Sequence, residues 1–202
     1  MDFLVTMTTQ VPEGTPEQAV DDVKAREAAH TAELAAQGHV LRLWRPPLKP
    51  GEWRTLGLFA AASEDELGKV LASMPLRVWR HDEVTPLAAH PNDPGTPGRA
   101  PLAAEYLITM TTVVPDGTPA ATVADTDARE ADRARDLARE GHLMRLWKLP
   151  AESGAARTLG LWSADDAGGM DAVVAALPLY PWMTVQTTPL SPHPSDPPPA
   201  QR

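Results

Sequence analysis

Residues 3–16 read FLVTMTTQVPEGTP, and residues 106–119 read YLITMTTVVPDGTP. The same offset continues along both copies without a gap, so that GHVLRLWR at 38–45 returns as GHLMRLWK at 141–148. Two copies of one long unit indicate a fused pair of like domains rather than a solenoid. Each residue can therefore be compared with its twin in the other copy.

The order of predicted elements in each copy is strand, helix, strand, strand, helix, strand. Alternating β-branched residues predict the strands, and Gly38 and Pro75 end the two helices of the first copy. This βαββαβ order is typical of the ferredoxin-like fold, an antiparallel sheet with two helices on one face. We predict an α+β protein in which two such domains cover each other's open sheet face. The result is an intramolecular pseudo-dimer that can form a homo-oligomer.

Proline clusters mark the segments between and after the two copies. We expect a first domain at residues 1–89, a Pro/Gly-rich linker at 90–103, a second domain at 104–192 and a disordered tail at 193–202. Proline-rich segments of this kind are stiff and partly extended, and they lack the apolar residues of a packed core.

The 202-residue chain has no cysteine, a net charge of −9 and a pI of about 5.1. The absence of cysteine excludes disulfides and thiolate metal sites. The acidic balance argues against nucleic-acid or anionic-membrane partners. The N-terminal residues lack the pattern of a secretion signal, and no apolar stretch reaches the roughly 20 residues that span a bilayer. We expect a cytoplasmic protein.

A glutamate on the first helix is the main candidate for chemistry. Spacing by three and four residues places Glu27 and His30 on the apolar face that meets the sheet. A carboxylate packed there loses hydration and can exchange a proton near neutral pH. We therefore predict that Glu27 and its twin Glu130 transfer protons. The alternative is that Glu27 lies at the edge of this face and pairs with Arg54 or a helix neighbour.

The second strand of each copy carries an arginine and a tryptophan. Strand alternation predicts that Val40, Arg42 and Trp44 share a face, and the second copy keeps Arg145 and Trp147. A guanidinium beside an indole can hold a carboxylate while the ring contacts an apolar part of a ligand. The pair can equally well pack between the two sheets.

The third strand places Trp53 and Thr55 on one face, and their twins are Ala156 and Thr158. The sequence contains no Gly-rich phosphate loop, no histidine and carboxylate spacing for a metal, and no Gly-x-Ser-x-Gly elbow. We therefore predict no metal and no nucleotide cofactor.

Several short motifs together resemble the muconolactone delta-isomerase family. They are FLVTMT at 3–8, KARE at 24–27, LWR at 43–45, the Ser-x-x-Glu-Leu of the second helix, and the closing MPL and VTPL-x-x-HP. The resemblance covers essentially all of each copy. It implies a ferredoxin-like fold, no cofactor, oligomers built from dimers, and sites that draw on more than one subunit. It also implies a role in aromatic catabolism, where such enzymes shift a double bond in a small unsaturated lactone.

The resemblance implies that Glu27 and Glu130 match the family's helix glutamate and carry the proton. Residues expected to contact the substrate are Lys24, His30, Arg42, Trp44, Trp53, Thr55, Arg145, Trp147, Thr158 and Trp182. Three of them depart from the family. Trp53 replaces a common tyrosine, Thr55 a common asparagine and Arg42 a usual histidine. These departures favour a bulkier, more apolar pocket and a substrate other than muconolactone.

The two copies have diverged at complementary places. The first keeps Lys24, Glu27 and Trp53, whereas the second keeps the family-like PLYPWM at 178–183, where the first has PLRVWR at 75–80. If each site joins the helix of one copy to the closing segment of the other, one site holds both family-like halves. We therefore predict one competent site per chain, built on Glu27.

The predicted function is a cofactor-independent isomerase that acts on a small unsaturated lactone or a related enolisable carbonyl compound. The base that takes a proton from one carbon returns it to another, which a single glutamate can do. One alternative is a lyase or cyclase of a secondary-metabolite pathway that uses the same pocket. A second alternative is a non-catalytic module that binds a small molecule.

Overall fold

The computed structural model describes residues 1–95, 103–151 and 155–198, which form two compact units. Unit 1 contains Met1–Leu87 and the described residues from Ser191 onward, and unit 2 is Ala88–Leu190. Both units have the predicted βαββαβ order, so the predicted α+β class with two ferredoxin-like units is confirmed. None of the described helices is long and apolar enough to cross a membrane.

The elements of the first copy alternate as predicted. They are β1 (Asp2–Thr9), α1 (Glu17–Ala36), β2 (Val40–Arg45), β3 (Arg54–Ala60), α2 (Glu64–Ser73) and β4 (Arg80–Ala89). The strands form an antiparallel sheet in the order β4-β1-β3-β2. A short 3-10 turn, Pro75–Trp79, joins α2 to β4.

The core of unit 1 lies between the sheet and its two helices. Alternate residues of β1, namely Phe3, Val5 and Met7, are buried because successive strand side chains point to opposite faces. They pack in one cluster with Leu34 of α1 and Leu67 of α2. This packing fixes α1 against the sheet, and α1 carries Glu27.

A β-bulge changes the predicted faces of β2. The ladder to β3 shifts between Val40 and Arg42, so Leu41 is an extra residue in the strand. As a result, Val40 and Leu43 both belong to the core cluster. Arg42 and Trp44 lie together, with the guanidinium 4.9 Å from the ring centre. The prediction that Val40 shares a face with them is wrong.

Unit 2 repeats this arrangement. Its elements are β5 (Ala104–Thr112), α3 (Ala120–Glu140), β6 (Leu143–Lys148), β7 (Ala156–Ala164), α4 (Ala167–Ala175), a 3-10 turn (Tyr180–Trp182) and β8 (Met183–Pro192). The strand order is β8-β5-β7-β6, and the same bulge separates Leu143 from Arg145. The duplicated sequence therefore specifies the same local irregularity twice.

The C-terminal segment completes unit 1. The backbone N–H of His193 donates to the carbonyl of Leu43 at 3.2 Å. The Asp196 carboxylate accepts from the N–H of Leu43 at 2.6 Å and pairs with Arg42 at 3.1 Å. This differs from the predicted disordered tail at 193–202, because a half-buried guanidinium and a strand N–H find their partner here. Residues 199–202 lie outside the described residues.

The corresponding segment of the first copy folds in the same way within unit 2. The Asp93 carboxylate accepts from the N–H of Leu146 at 2.9 Å and pairs with Arg145 at 3.2 Å. The predicted linker at 90–103 thus begins with a structured turn, and its residues 96–102 lie outside the described residues. The remaining predicted domain boundaries stay predictions.

Gly57 of β3 occupies a position where any side chain would collide with the core. A Cβ atom there would overlap Phe59 and would lie 2.9 Å from Met7 Cε and 3.1 Å from Leu43 Cδ2. We expect Gly57→Ala to lower the free energy of unfolding by about 1–3 kcal/mol, because overpacking strains the core.

The matched control is Gly68→Ala in α2, where a Cβ meets nothing within 4 Å. It should raise the free energy of unfolding by about 0.5–1 kcal/mol because alanine favours a helix interior. Urea denaturation of both variants measures the two effects. Similar changes in both would contradict the account of the core at Gly57.

Candidate active site

Unit 1 contains a cavity of about 550 Å³. Four of the residues predicted from the sequence line it together: Lys24 and Glu27 from α1, Trp53 just before β3, and Thr55 within β3. The volume lies within the roughly 300–1,000 Å³ of typical small-molecule sites. This cavity is therefore the candidate active site.

The carboxylate of Glu27 has two anchors. Its side chain is 12% exposed, and Oε1 lies 3.0 Å from Nη1 of Arg80. Oε2 accepts a hydrogen bond of 2.8 Å from the backbone N–H of Leu76. Each oxygen has a second lone pair, so the group can still accept a proton from a ligand. Its ion-pair partner is Arg80 rather than Arg54, which the sequence had suggested.

Arg80 is the most important residue that the sequence analysis missed. Its side chain is 2% exposed, and it bridges Glu27 and Asp82, to which Nε donates at 2.6 Å and Nη2 at 3.1 Å. The remaining donors reach the carbonyl of Leu71 at 3.4 Å and the sulfur of Met74 at 3.7 Å. All five N–H groups of the guanidinium therefore have acceptors, as a buried arginine requires.

The lining of the cavity is cationic although the chain carries a net charge of −9. Its charged residues are Lys24, Arg45, Arg54, Arg80, Glu27 and Glu52. The ammonium of Lys24 lies 5.4 Å from the centre of the Trp53 ring, a cation–π distance. An excess of positive charge in a cleft attracts anionic ligands.

Three predicted residues of unit 1 lie outside the lining of this cavity. The two ring nitrogens of His30 are each 2.9 Å from a polar atom, one on Glu33 and one on Ser73. Trp44 is 1% exposed and is covered by Arg42. The contact of His30 with Ser73 joins α1 to α2, and the ion pair of Arg42 with Asp196 joins β2 to the C-terminal segment. Roles for His30, Arg42 and Trp44 in substrate binding stay predictions.

Each glutamate contacts the closing segment of its own copy. Glu27 meets Leu76 and Arg80, and Glu130 accepts a 3.0 Å hydrogen bond from the backbone N–H of Leu179. The expectation that a glutamate meets the closing segment of the other copy is therefore wrong for these contacts. A helix glutamate and the turn that follows the next helix belong to one βαββαβ core, so they pack together.

His193 is a second residue that the sequence analysis did not assign to the site. It lines the cavity, and its Nδ1 accepts a 3.1 Å hydrogen bond from the N–H of Ser195, which leaves the proton of the neutral ring on Nε2. Burial lowers the pKa of His193, Arg45 lowers this pKa further, and Asp196 opposes both. The His-Pro dipeptide, which recurs in both copies, is its signal in the sequence.

The glutamate of unit 2 has a different environment. Burial raises the pKa of Glu130 above its ordinary value, the Leu179 hydrogen bond lowers this pKa, and the charge of Asp127 raises it. The twin of Arg80 is Met183, and the twin of Asp82 is Val185. Glu130 therefore lacks the guanidinium that accompanies Glu27.

The other predicted residues of unit 2 have structural surroundings. The guanidinium of Arg145 lies 4.6 Å from the centre of the Trp147 ring, which is 3% exposed. Thr158 pairs with β6 within the sheet, and Trp182 is half-buried in the 3-10 turn before β8. Their roles in binding stay predictions.

Both copies match the family model described as muconolactone delta-isomerase, over residues 1–93 and 104–196. The chain belongs to the muconolactone delta-isomerase family. It is 37% identical over 90 residues to the muconolactone delta-isomerase of Cupriavidus pinatubonensis, an alignment that covers 45% of this chain and 95% of that relative. Muconolactone delta-isomerase 1 of Acinetobacter lwoffii is 35% identical over 90 residues, with 45% and 91% covered. These alignments span about one copy each, and family membership makes the protein an isomerase.

A solved structure extends the likeness over nearly the whole chain. A heme-binding protein from Thermus thermophilus has a TM-score of 0.61 at 12% identity, covering 96% of this chain and 92% of its own. At that identity the likeness shows the fold alone. Within residues 1–95, 103–151 and 155–198, no three histidine or carboxylate side chains form a metal-binding group.

We expect His193→Gln to change how stability depends on pH. Because the folded pKa of His193 lies below the ordinary value of 6.5, the unfolded chain binds more protons and protonation favours unfolding. This penalty is absent well above pH 6.5 and grows as the pH falls below it. The variant should therefore lose less unfolding free energy than the unaltered protein between neutral pH and about pH 5.

Urea denaturation at several pH values measures this difference. His81→Gln is the matched control, because it removes a histidine from an exposed position outside the cavity. If both variants follow the unaltered protein, His193 is not a protonation-sensitive part of the folded site.

Proposed function

We propose that the protein shifts a carbon–carbon double bond in a small unsaturated lactone that carries an anionic group, with Glu27 as the proton-transferring base. A related enolisable carbonyl compound would meet the same chemical requirement. The observation that carries the proposal is the Glu27 carboxylate, 12% exposed, in the lining of a cationic cavity of about 550 Å³. Membership in an isomerase family supports it.

The reaction needs one group that both accepts and returns a proton. Glu27 takes a proton from a carbon that the lactone carbonyl and the double bond acidify, and the electron pair left behind forms a dienolate. The protonated Glu27 then returns the same proton to a carbon further along the conjugated system. The double bond has moved, Glu27 is again a carboxylate, and no proton is gained or lost.

The dienolate needs compensation for the negative charge on its oxygen. The hydroxyl of Thr55 and the Nε2–H of His193 are the donors of the lining that suit this oxygen, whereas the ammonium of Lys24 suits the anionic group of the substrate. Trp53 supplies an apolar wall, and the ammonium of Lys24 lies 5.4 Å from the centre of its ring while it pairs with Asp21 at 3.3 Å. Donors fixed before the reaction begins stabilise the charge without reorganisation.

The equivalent residues of unit 2 are poorly suited to an anionic lactone. Asp127 replaces Lys24, and Ala156 replaces Trp53. The negative charge of Asp127 acts on Glu130 and would repel an anion there. Glu27 is therefore the better candidate of the two glutamates for the base.

Substitution of each glutamate separately tests this assignment. We expect Glu27→Gln to lower kcat/KM by about 10²–10⁴-fold because the amide cannot transfer the proton. Glu130→Gln is the matched control and should keep most of the activity. Steady-state kinetics with muconolactone and substituted unsaturated lactones measures both variants. Equal losses would rule out a single competent site built on Glu27.

Substitution of Lys24 tests the charge of the substrate. We expect Lys24→Met to lower kcat/KM for a lactone bearing a free carboxylate by up to about fivefold, because an exposed ion pair contributes up to about 1 kcal/mol. The methyl ester of the same lactone should be converted at an unchanged rate. Lys69→Met, at an exposed position of α2, is the matched control. Equal losses for acid and ester would contradict recognition of an anion by Lys24.

A further inference from the structure

Arg80 lies beside the candidate base but has no donor left for a ligand. Nε and one N–H of Nη2 bind Asp82, one N–H of Nη1 binds Glu27, and Leu71 and Met74 accept the other two. The side chain is 2% exposed. A guanidinium saturated in this way does not bind substrate, so its influence on the site must pass through Glu27.

The contact with Arg80 changes how firmly the Glu27 carboxylate is held. A single hydrogen bond, such as the one from Leu76, fixes one oxygen and leaves the group free to rotate about its bond to the chain. In Glu27 the second oxygen is fixed as well, 3.0 Å from Arg80. Asp82 holds Arg80 in turn through two parallel hydrogen bonds, a rigid geometry.

The second copy lacks both residues of the Arg80–Asp82 ion pair. Met183 stands in place of Arg80 and Val185 in place of Asp82, whereas the glutamate and its N–H anchor are present as Glu130 and Leu179. A buried arginine or aspartate without its partner is strongly destabilising, which explains why the two positions differ together. The chain therefore contains a natural comparison of a helix glutamate with and without the pair.

We propose that Arg80, anchored by Asp82, is a positioning residue that fixes the Glu27 carboxylate in the cavity of unit 1 and offsets the hydration it loses on burial. The inference rests on Glu27 being the base of the proposed isomerisation. Proton transfer depends on the geometry of the base, and displacements of about 1 Å cost about 10²-fold in rate. Unit 2 lacks this support for its own glutamate.

The first test installs the unit 2 pair in unit 1. In the full chain, Arg80→Met combined with Asp82→Val avoids an unpaired buried charge and uses side chains that the same scaffold accommodates at Met183 and Val185. We expect kcat to fall about 10- to 100-fold with little change in KM, because orientation rather than binding is lost. The acid limb of the pH–rate profile should move to higher pH, since loss of an opposite charge favours the protonated carboxylate.

A purely structural ion pair would give a different result. It would lower the midpoint of urea denaturation but would leave the kcat of the folded double variant unchanged. An unchanged kcat in the folded double variant would therefore overturn the proposal, even if the acid limb moves. Arg80→Lys keeps the positive charge but not the planar fork. Compared with the double variant, its acid limb should therefore lie close to that of the unaltered protein, while its kcat stays reduced.

The second test needs no substrate. Met183→Arg combined with Val185→Asp places the pair beside Glu130, whose pKa burial raises. We expect the pKa of Glu130 to fall in a carboxyl carbon-13 NMR titration, because an opposite charge favours the carboxylate. An unchanged pKa in the folded variant would overturn the inference. If the unaltered protein fails to isomerise any lactone, the proposed function is lost, and this titration still decides what the pair does to a helix glutamate.

Discussion

The hydrogen bond from the backbone N–H of Leu76 to the carboxylate of Glu27, 2.8 Å long, joins α1 to the turn that leads into β4. A buried carboxylate and a buried N–H each need a partner, so this contact holds the turn against the helix. Leu179 and Glu130 make the same contact in unit 2 at 3.0 Å. The two glutamates thus stabilise the fold of both units, and the presence of a glutamate in both copies does not by itself indicate catalysis. The cavity and the second anchor distinguish Glu27.

The ion pair of Glu27 with Arg80 imposes a further constraint on the structure. Arg80 lies in a nearly dry environment, where removal of one partner of a buried ion pair costs about 3–5 kcal/mol. Asp82 therefore has to stay in place beside the guanidinium, because it compensates the positive charge even when Glu27 is protonated. A carboxylate held so firmly can act only on a molecule that enters the cavity beside it, which Lys24, Trp53 and Thr55 help to line.

The sequence predicted the parts of the fold that depend on local periodicity. The repeat and the strand alternation gave the two βαββαβ units, and helical spacing with twin comparison gave Glu27. Arg80 was missed because its burial depends on α1, 53 residues away, and no local pattern reports that contact. The Asp196 turn was missed for the same reason, since its proline-rich composition hides a hydrogen bond to Leu43, 153 residues earlier. The bulge at Leu41 also lacks a local signal such as glycine.

Fusion of the two copies makes this divergence possible. In a homodimer of separate identical chains, every substitution appears in both subunits, so both equivalent sites change together. In one duplicated chain, Arg80 and Asp82 can occupy the first copy while Met183 and Val185 occupy the second. In the same way, the copy with Glu27 has Lys24 and Trp53, whereas the copy with Glu130 has Asp127 and Ala156 at the equivalent positions. Both glutamates keep the contact with the turn, which the fold of each unit requires.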